Sequence, residues 1–587
     1  MPGKQQPFEM IELDMDYCSR TFGVAPCTAA LAGTTVRKCF NTFYTCKDIA
    51  NFNKSVLTYK FVQPLPDYPK GATVFPYLIS TSGSSATVNI AGSDDRMESL
   101  GERGTVSATF SDHPYHDRFT DKYAAERVTG AAQTDEPGYD QYTRGTFWTK
   151  FKARNPNYAG RPMRKITGYI LDGVVTITST RHFVISEIKG PNTDGGVTVS
   201  GKDILFLADN DKAVCPKPSR GLLLTAVTAD VGQTFTLNPA GIGSEYATSG
   251  FGVIGSELVG FSRVGDVITL TSRGQSGTVA AAHSINDAFQ QSYSPRLLRI
   301  DDAIYDMLVN YAGVNPAFIP FVDWQYEVTR WAPSLRVTTD ILKPEGVNKL
   351  IGELAILGIS IWWDDELQEI GLKVNRPPDT DTVKSISDRN NIVRASQEDR
   401  DEDRLTEVLF YTRVIDPTKG VTSGENFLTG SYLIDADAKS VFAFSDTKIK
   451  TIYCRWLNHG DDALVKIMSR RLLNRFNKQP VQYIIELDID DDVRLTDVVS
   501  LLSQVISDET GLGREQLMQV ISREDTVIGH QIKIKAQAFA FDQRYGYITE
   551  NTRPSYTLSS DAQRLRGAYF TDGTLTFGDN TGAYRFI

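Results

Sequence analysis

The chain has no long hydrophobic run. Its longest nearly uncharged apolar stretch, AILGISIWW at 355–363, is nine residues, about half of the ~18 that a membrane-spanning helix needs, so no spanning segment is expected. The start, MPGKQQPFEMIELDMDYC, lacks an apolar core and a small-residue cleavage site, which argues against a secretory signal and for synthesis in the cytosol. Positive charge is in deficit: 62 Lys and Arg against 72 Asp and Glu leave a net charge of −10, so no bulk field exists to hold DNA, RNA or an anionic membrane. Cysteine is scarce, six in 587 residues, too few for a disulfide-built scaffold. A GxxxxGK phosphate loop, a GxSxG nucleophile turn, a Cys/His hydrolase pattern and a dinucleotide-binding glycine fingerprint are all missing, which leaves the common enzymatic signatures without a match.

What is present is ample material for cores. The length is about four times a typical ~150-residue domain, and 41% of the residues are hydrophobic and 10% aromatic, so a multi-domain globular chain is expected. After a cysteine-rich start, TVFPYLI, ATVNIA and GTVSATF alternate apolar and polar residues with Gly and Ser punctuation, as strands do. Residues 111–164 are polar, aromatic and turn-rich and read as long loops. Strand patterns return from 166 to about 208, and 221–283 form a Gly-rich run of short strands, a small β module ended by the turn-prone SYSP at 292–295. Then the period changes. Ile300, Ala303, Ile304, Met307, Leu308 and Tyr311 share one helical face before Gly313, a second helix is expected over 344–357, and a third over 462–476. The hairpin ISIWW/DDELQ/EIGLKV follows the second helix, and four strands follow the third. The acidic and basic run SQEDRDEDRL at 396–405 reads as a solvated loop. The fold class is therefore multi-domain and mainly β, with an α+β C-terminal half. Its expected divisions are a four-Cys segment at 1–60, a β-rich domain with long loops at 61–220, the small module at 221–294, the α+β domain at 295–555 and a C-terminal hairpin tail at 556–587.

Four of the six cysteines, Cys18, Cys27, Cys39 and Cys46, fall nine, twelve and seven positions apart. Four thiolates can close the coordination set of Zn²⁺ or of an iron–sulfur cluster. The tight CxxC knuckles of zinc ribbons and the CxxCxxC run of bacterial ferredoxins are absent, and reduced buried cysteines or two disulfides remain open as alternatives. Cys215 and Cys454 stand alone and read as core residues. His113 and His116, beside Asp112 and Asp117 in SDHPYHDRF, could in principle bind a metal or move a proton. They lack a helical spacing and a nucleophile, and a turn satisfying local hydrogen bonds is the expected reading. Asp488, Asp490, Asp491 and Asp492 lack the Gly and Glu of a calcium loop and read as a solvated strand end.

The segment YCSRTFGVAPC…KCFNTFYTC, with Gly23 shortly before the second cysteine, resembles the cysteine segment of siphophage tail-tip proteins, the lambda tail-tip protein L among them, and of gene-transfer-agent hub proteins. RFTDKYAAERV…GTFWTKFKARNPNYAGRPMR and IGSELVGFSRVGDVITLTSRGQSGTVAAAHS resemble the same family, and the specific matches cover about a third of the chain. The resemblance implies a tail-hub-like fold and a structural tail-tip (baseplate) hub subunit, not an enzyme, which closes the tail tube and anchors fibres. It maps an iron–sulfur cluster, of 4Fe-4S type with zinc as the alternative, onto Cys18, Cys27, Cys39 and Cys46. It further implies a homotrimer between a distal tail protein ring and the tape-measure C-terminus, with tail fibre or central fibre proteins attached, at the virion tail tip after assembly in the host cytoplasm. DNA would be passing cargo only. Sheet edges that must be covered argue for the same ring. A metal- or cluster-dependent enzyme, either a redox protein or a cell-wall hydrolase using His113 and His116, is the rival reading.

Overall fold

In FEMIELDMD the residues alternate acid and apolar, and one strand follows. Strand β1, Gln6–Cys18, turns Ile11, Leu13 and Met15 into a core and Glu12, Asp14 and Asp16 to the other face. There Arg164 bonds Glu12 at 2.7 Å and Asp14 at 2.6 Å, and Lys60 bonds Glu12 at 3.0 Å. In this computed structural model the described residues are 6–30, 39–65, 73–84, 86–90, 101–115, 145–171, 174–378, 381–440, 446–477, 480–488, 493–507, 510–527, 531–538 and 560.

β1 belongs to a seven-stranded antiparallel sheet with β2 (Lys54–Val62), β3 (Leu78–Ser84), β4 (Thr105–Ser111), β5 (Pro162–Leu171), β6 (Val174–Lys189) and β7 (Gly196–Lys202), in the order β2-β1-β5-β6-β7-β4-β3. Its two edges meet. Phe75, three residues before β3, donates its N–H to Lys60 at 2.8 Å and accepts from Val62 at 2.9 Å on edge strand β2, so the sheet curls into a barrel. Helix α1, Phe147–Arg154, lays Phe147, Trp148 and Phe151 into its core, inside the region whose turn-rich sequence predicts loops. Because β1 and β2 pair from Cys18↔Lys54 to Met10↔Val62, the cysteine segment is a long connection between neighbouring strands, and the flanks of the expected 1–60 unit are walls of the first barrel.

The small module closes in the same way. Its six strands run in the order 289–291, 249–254, 257–264, 267–272, 234–238 and 222–223, and Phe289 N–H to Gly221 at 2.9 Å joins the first to the last. A third sheet, ordered 383–387, 498–502, 516–527, 531–538, 481–488 and 392–399, has edge strands separated by only residues 388–391. Ile386 from one edge strand and Ile392 from the other pack on one core, so this sheet is curled as well.

Between the barrels lies a helical core. Helix α2, Ile300–Asp306, continues as a π-helical turn to Tyr311. Helix α3, Phe321–Trp331, buries Trp324, Val328 and Trp331, and no helix is expected there from the sequence. Helix α4, Val347–Ala355, is shorter than its predicted span because Glu345–Gly346 pairs as strand with Val214–Cys215. Helix α5, Asp462–Phe476, has the predicted bounds, and Asp461 caps it by accepting the Leu464 N–H at 2.9 Å. The charged run 396–405 departs from its solvated-loop expectation. Its first residues end a barrel strand, and Arg404 is only 1% exposed because Leu405 N–H bonds Phe476 at the end of α5 and draws the run inward. His116, Asp117, Asp490, Asp491, Asp492 and, apart from Ser560, the C-terminal hairpin tail lie outside the described residues. Among the described residues no helix is long and apolar enough to cross a membrane.

Candidate functional site: the cysteine connection

The connection leaves the barrel at Cys18, the buried last residue of β1, and returns at Lys54. Two irregular arms bring the other thiols. Gly23, at φ +71, starts a turn in which the Cys27 N–H bonds the Val24 carbonyl at 2.9 Å. In the second arm successive turns set Thr45 N–H on Thr42 and Cys46 N–H on Phe43, both at 3.2 Å. Cys27, Cys39 and Cys46 are all half-buried, and all six cysteines are free thiols, so the two-disulfide alternative is not the arrangement here.

Polar side chains tie the arms. Asn41, in the left-handed region at φ 58 that an Asn tolerates, donates its side-chain amide to the carbonyls of Cys18 at 3.0 Å and Arg20 at 3.1 Å. Its own carbonyl accepts the Cys18 N–H at 2.6 Å. Asp48 accepts the backbone N–H of Thr28 at 2.7 Å and the Thr28 hydroxyl at 2.9 Å, and Asn51 adds a third donor at 3.1 Å. The Thr28 amide is the main cause that holds the Asp48 carboxyl below its ordinary range. Asp48 also donates its N–H to the Cys46 sulfur at 3.4 Å.

Burial raises the Cys46 thiol; the Asp48 N–H pulls it back, and the neighbouring Cys18 and Cys27 sulfurs push it up again. Cys39 stands two residues before Asn41, whose side chain bonds the Cys18 carbonyl. Among the described residues no three His, Cys, Asp or Glu side chains close on a single point as one bound ion requires. The donor chemistry, four reduced thiols with an amide N–H already aimed at one sulfur, suits a thiolate-ligated group. Cys454 is different: full burial pushes its thiol up to about 12, and Cys215 is likewise raised by burial, so both stay protonated core residues.

His113 is one ring of an aromatic stack. Its ring is sandwiched between Tyr77, at 3.6 Å and 8° between planes, and Phe147, at 5.1 Å and 12°. Both ring nitrogens lack a partner, and burial lowers the His113 pKa. The stack accounts for the ring as packing, and among the described residues it joins no group of three metal-ligating side chains. The local polar work falls to Asp112, which accepts the Trp148 N–H at 3.0 Å at the start of α1.

A cavity of about 310 Å³ lies where the first barrel, the 359–374 hairpin and the C-terminal barrel meet. Arg181 on β6 bonds Asp525 at 2.7 Å, and Arg523 bonds Glu366 at 2.5 Å. The sequence reading missed these residues, since ion pairs between distant segments leave no local pattern.

No family model matches the chain, and no curated protein matches it. Solved structures do. The chain is similar to a tail protein of Neisseria meningitidis MC58, at 11% identity and a TM-score of 0.32, over 79% of this chain and 99% of that one. It is similar to the prophage tail protein gp18 of Listeria monocytogenes EGD-e, at 10% identity and a TM-score of 0.31, over 84% and 92%. It is also similar to a Francisella PdpA-VgrG complex, at 9% identity and a TM-score of 0.34, over 94% of this chain and 61% of that one.

Proposed function

We propose that this chain is a structural phage tail-tip (baseplate) hub subunit whose cysteine connection holds an iron–sulfur cluster in a structural role. The observation that carries the reading is the cysteine connection itself. Cys18 roots the connection in the barrel wall, and Asn41 and Asp48 tie its described arms to the strand end and to each other. Cys18, Cys27, Cys39 and Cys46 would hold the group, and when bound it supplies metal–thiolate bonds that cross-link the two arms to the strand. Four thiolates can close the set of either a zinc ion or an iron–sulfur cluster, and the family resemblance is what favours the cluster.

The hub would be a homotrimer between a distal tail ring and the tape-measure C-terminus, carrying fibre proteins and letting DNA pass. The first barrel and the small module bring their own sheet edges together, so for those two sheets the need to cover edges does not argue for the trimer; the family resemblance is what supports it. The net charge of −10 suits a conduit that does not hold DNA.

The experiment is labelling of intact virions. Antibody against the small module should decorate the distal tail tip in electron micrographs, and protein purified without oxygen should contain iron and acid-labile sulfide. Decoration of the head or of no part of the particle would overturn the hub reading. Iron-free protein carrying zinc would replace the cluster by a tetrathiolate ion.

A further inference from the structure

We propose, resting on the reading of the four cysteines as a thiolate set, that Asp48 and Asn41 form a polar clasp that gathers the arms before any cofactor binds, and so act as positioning residues for the thiols. Ordering an irregular segment costs backbone entropy that little local burial offsets, and from sequence alone metal–thiolate bonds supply part of that deficit and burial against the following β domain the remainder. The structure assigns much of it elsewhere. Asn41 joins the second arm to the strand end through Cys18 and Arg20. Asp48 joins the second arm to the first through Thr28, the residue after Cys27.

Each link is adjacent to a thiol. Asp48 lies two residues beyond Cys46 and Asn41 two beyond Cys39, so a clasp that closes sets the thiol-bearing backbone within reach. The bonds at Asp48 involve a carboxylate and are stronger than neutral ones. The Asp48 N–H to the Cys46 sulfur adds a donor that stabilises thiolate charge, and since it is a backbone group it survives side-chain replacement. The side-chain and backbone roles of this residue can therefore be separated.

The test begins with metal-free protein, using hydrogen exchange read by mass spectrometry on wild type, Asp48→Ala, Asp48→Asn and Asn41→Gly. Glycine keeps the left-handed backbone at position 41 and removes only the side-chain bonds. Wild type should protect the Thr28 amide, and Asp48→Ala should speed its exchange about tenfold, with the barrel strands unchanged. The second readout is anaerobic loading with ferrous iron and sulfide, followed by visible absorption and the electron paramagnetic resonance of the reduced protein. Asp48→Ala and Asn41→Gly should load less iron per chain with altered resonance. Asp48→Asn should recover part of the loading, because its amide oxygen still accepts from Thr28. An unprotected Thr28 amide in wild type, or variants that exchange and load as wild type does, would overturn the clasp. Wild type with protected amides that takes up neither iron and sulfide nor zinc would overturn the cofactor reading and with it the positioning role.

Discussion

Arg273 grips Glu257 through two parallel hydrogen bonds of 2.7 Å inside the small module, with both side chains at most 2% exposed. His283 reaches the same carboxylate at 2.8 Å, and the amides of Gly274 and Ala281 bond it at 2.9 and 3.1 Å. Three segments of the module, at 257, 273–274 and 281–283, thus meet on one charged group. Burial alone would raise the Glu257 pKa, but the Arg273 fork and His283 outweigh it and bring it down to about 2.

Replacing Arg273 by Ala leaves that buried carboxylate without its guanidinium, held only by His283 and two amides, and should destabilise the module by about 3 kcal/mol. Hydrogen exchange across 221–291 should rise in the variant while exchange in the first barrel stays as in wild type. Because the folded carboxyl titrates below its ordinary 4.5, its stabilisation is full above that value and is lost as pH falls toward about 2. Acid titration of module unfolding should show that loss in wild type and lose its slope in Glu257→Gln.

His113 predicts the opposite kind of outcome. With its ring stacked on Tyr77 and Phe147 and neither nitrogen paired, His113→Phe should keep or raise the melting temperature. The folded pKa is lowered, so wild type loses stability as pH falls below the unfolded value of 6.5 and the unfolded imidazole takes up its proton. The variant should lack that component. A His113→Phe protein that folds but cannot assemble would restore a functional role to the ring.

Arg181→Ala should loosen the joint between the first and C-terminal barrels, since this side chain bonds Asp525 and faces Asp365 at 3.7 Å. A loss on the order of 2–3 kcal/mol is expected for hydrogen bonds between charged groups. Limited proteolysis at rising salt should cut the variant between the barrels before wild type, and identical cleavage would show that the apolar contacts suffice.

Single Cys→Ser changes at positions 18, 27, 39 and 46 should each abolish the iron–sulfur absorption and impair tail assembly. Cys215→Ser and Cys454→Ser should retain both, because burial keeps those thiols protonated. Native mass spectrometry of the wild type should give a trimer, alone or with its neighbouring tail proteins. A stable monomer under every condition would remove the ring.

The sequence by itself determined whatever is written in a local period. The 359–374 hairpin, the strands that follow α5 and most of the α5 face were legible because turn chemistry and residue spacing act within one element: Leu464, Met468 and Leu472 are buried as expected, while Ile467, expected on the same face, is 39% exposed. The four cysteines were legible for the same reason, as a cluster in one short stretch. Strand β1 carries an alternation of Ile11, Leu13 and Met15 with acids that the sequence reading passed over, and its place in the wall of the first barrel depends on a partner, β5, that begins only at Pro162. Only the tertiary structure decided that Phe75 would bring the two edges of the first sheet together, that Arg404 would be drawn inside by α5 and that His113 would become one ring in an aromatic stack. Those outcomes depend on which distant surface a residue meets, and a contact of that kind leaves no period in the chain. The clasp stands between the two cases: Asn41 and Asp48 lie within the cysteine segment, yet each acts through a partner twenty or more residues away, where backbone geometry and not spacing sets the bond.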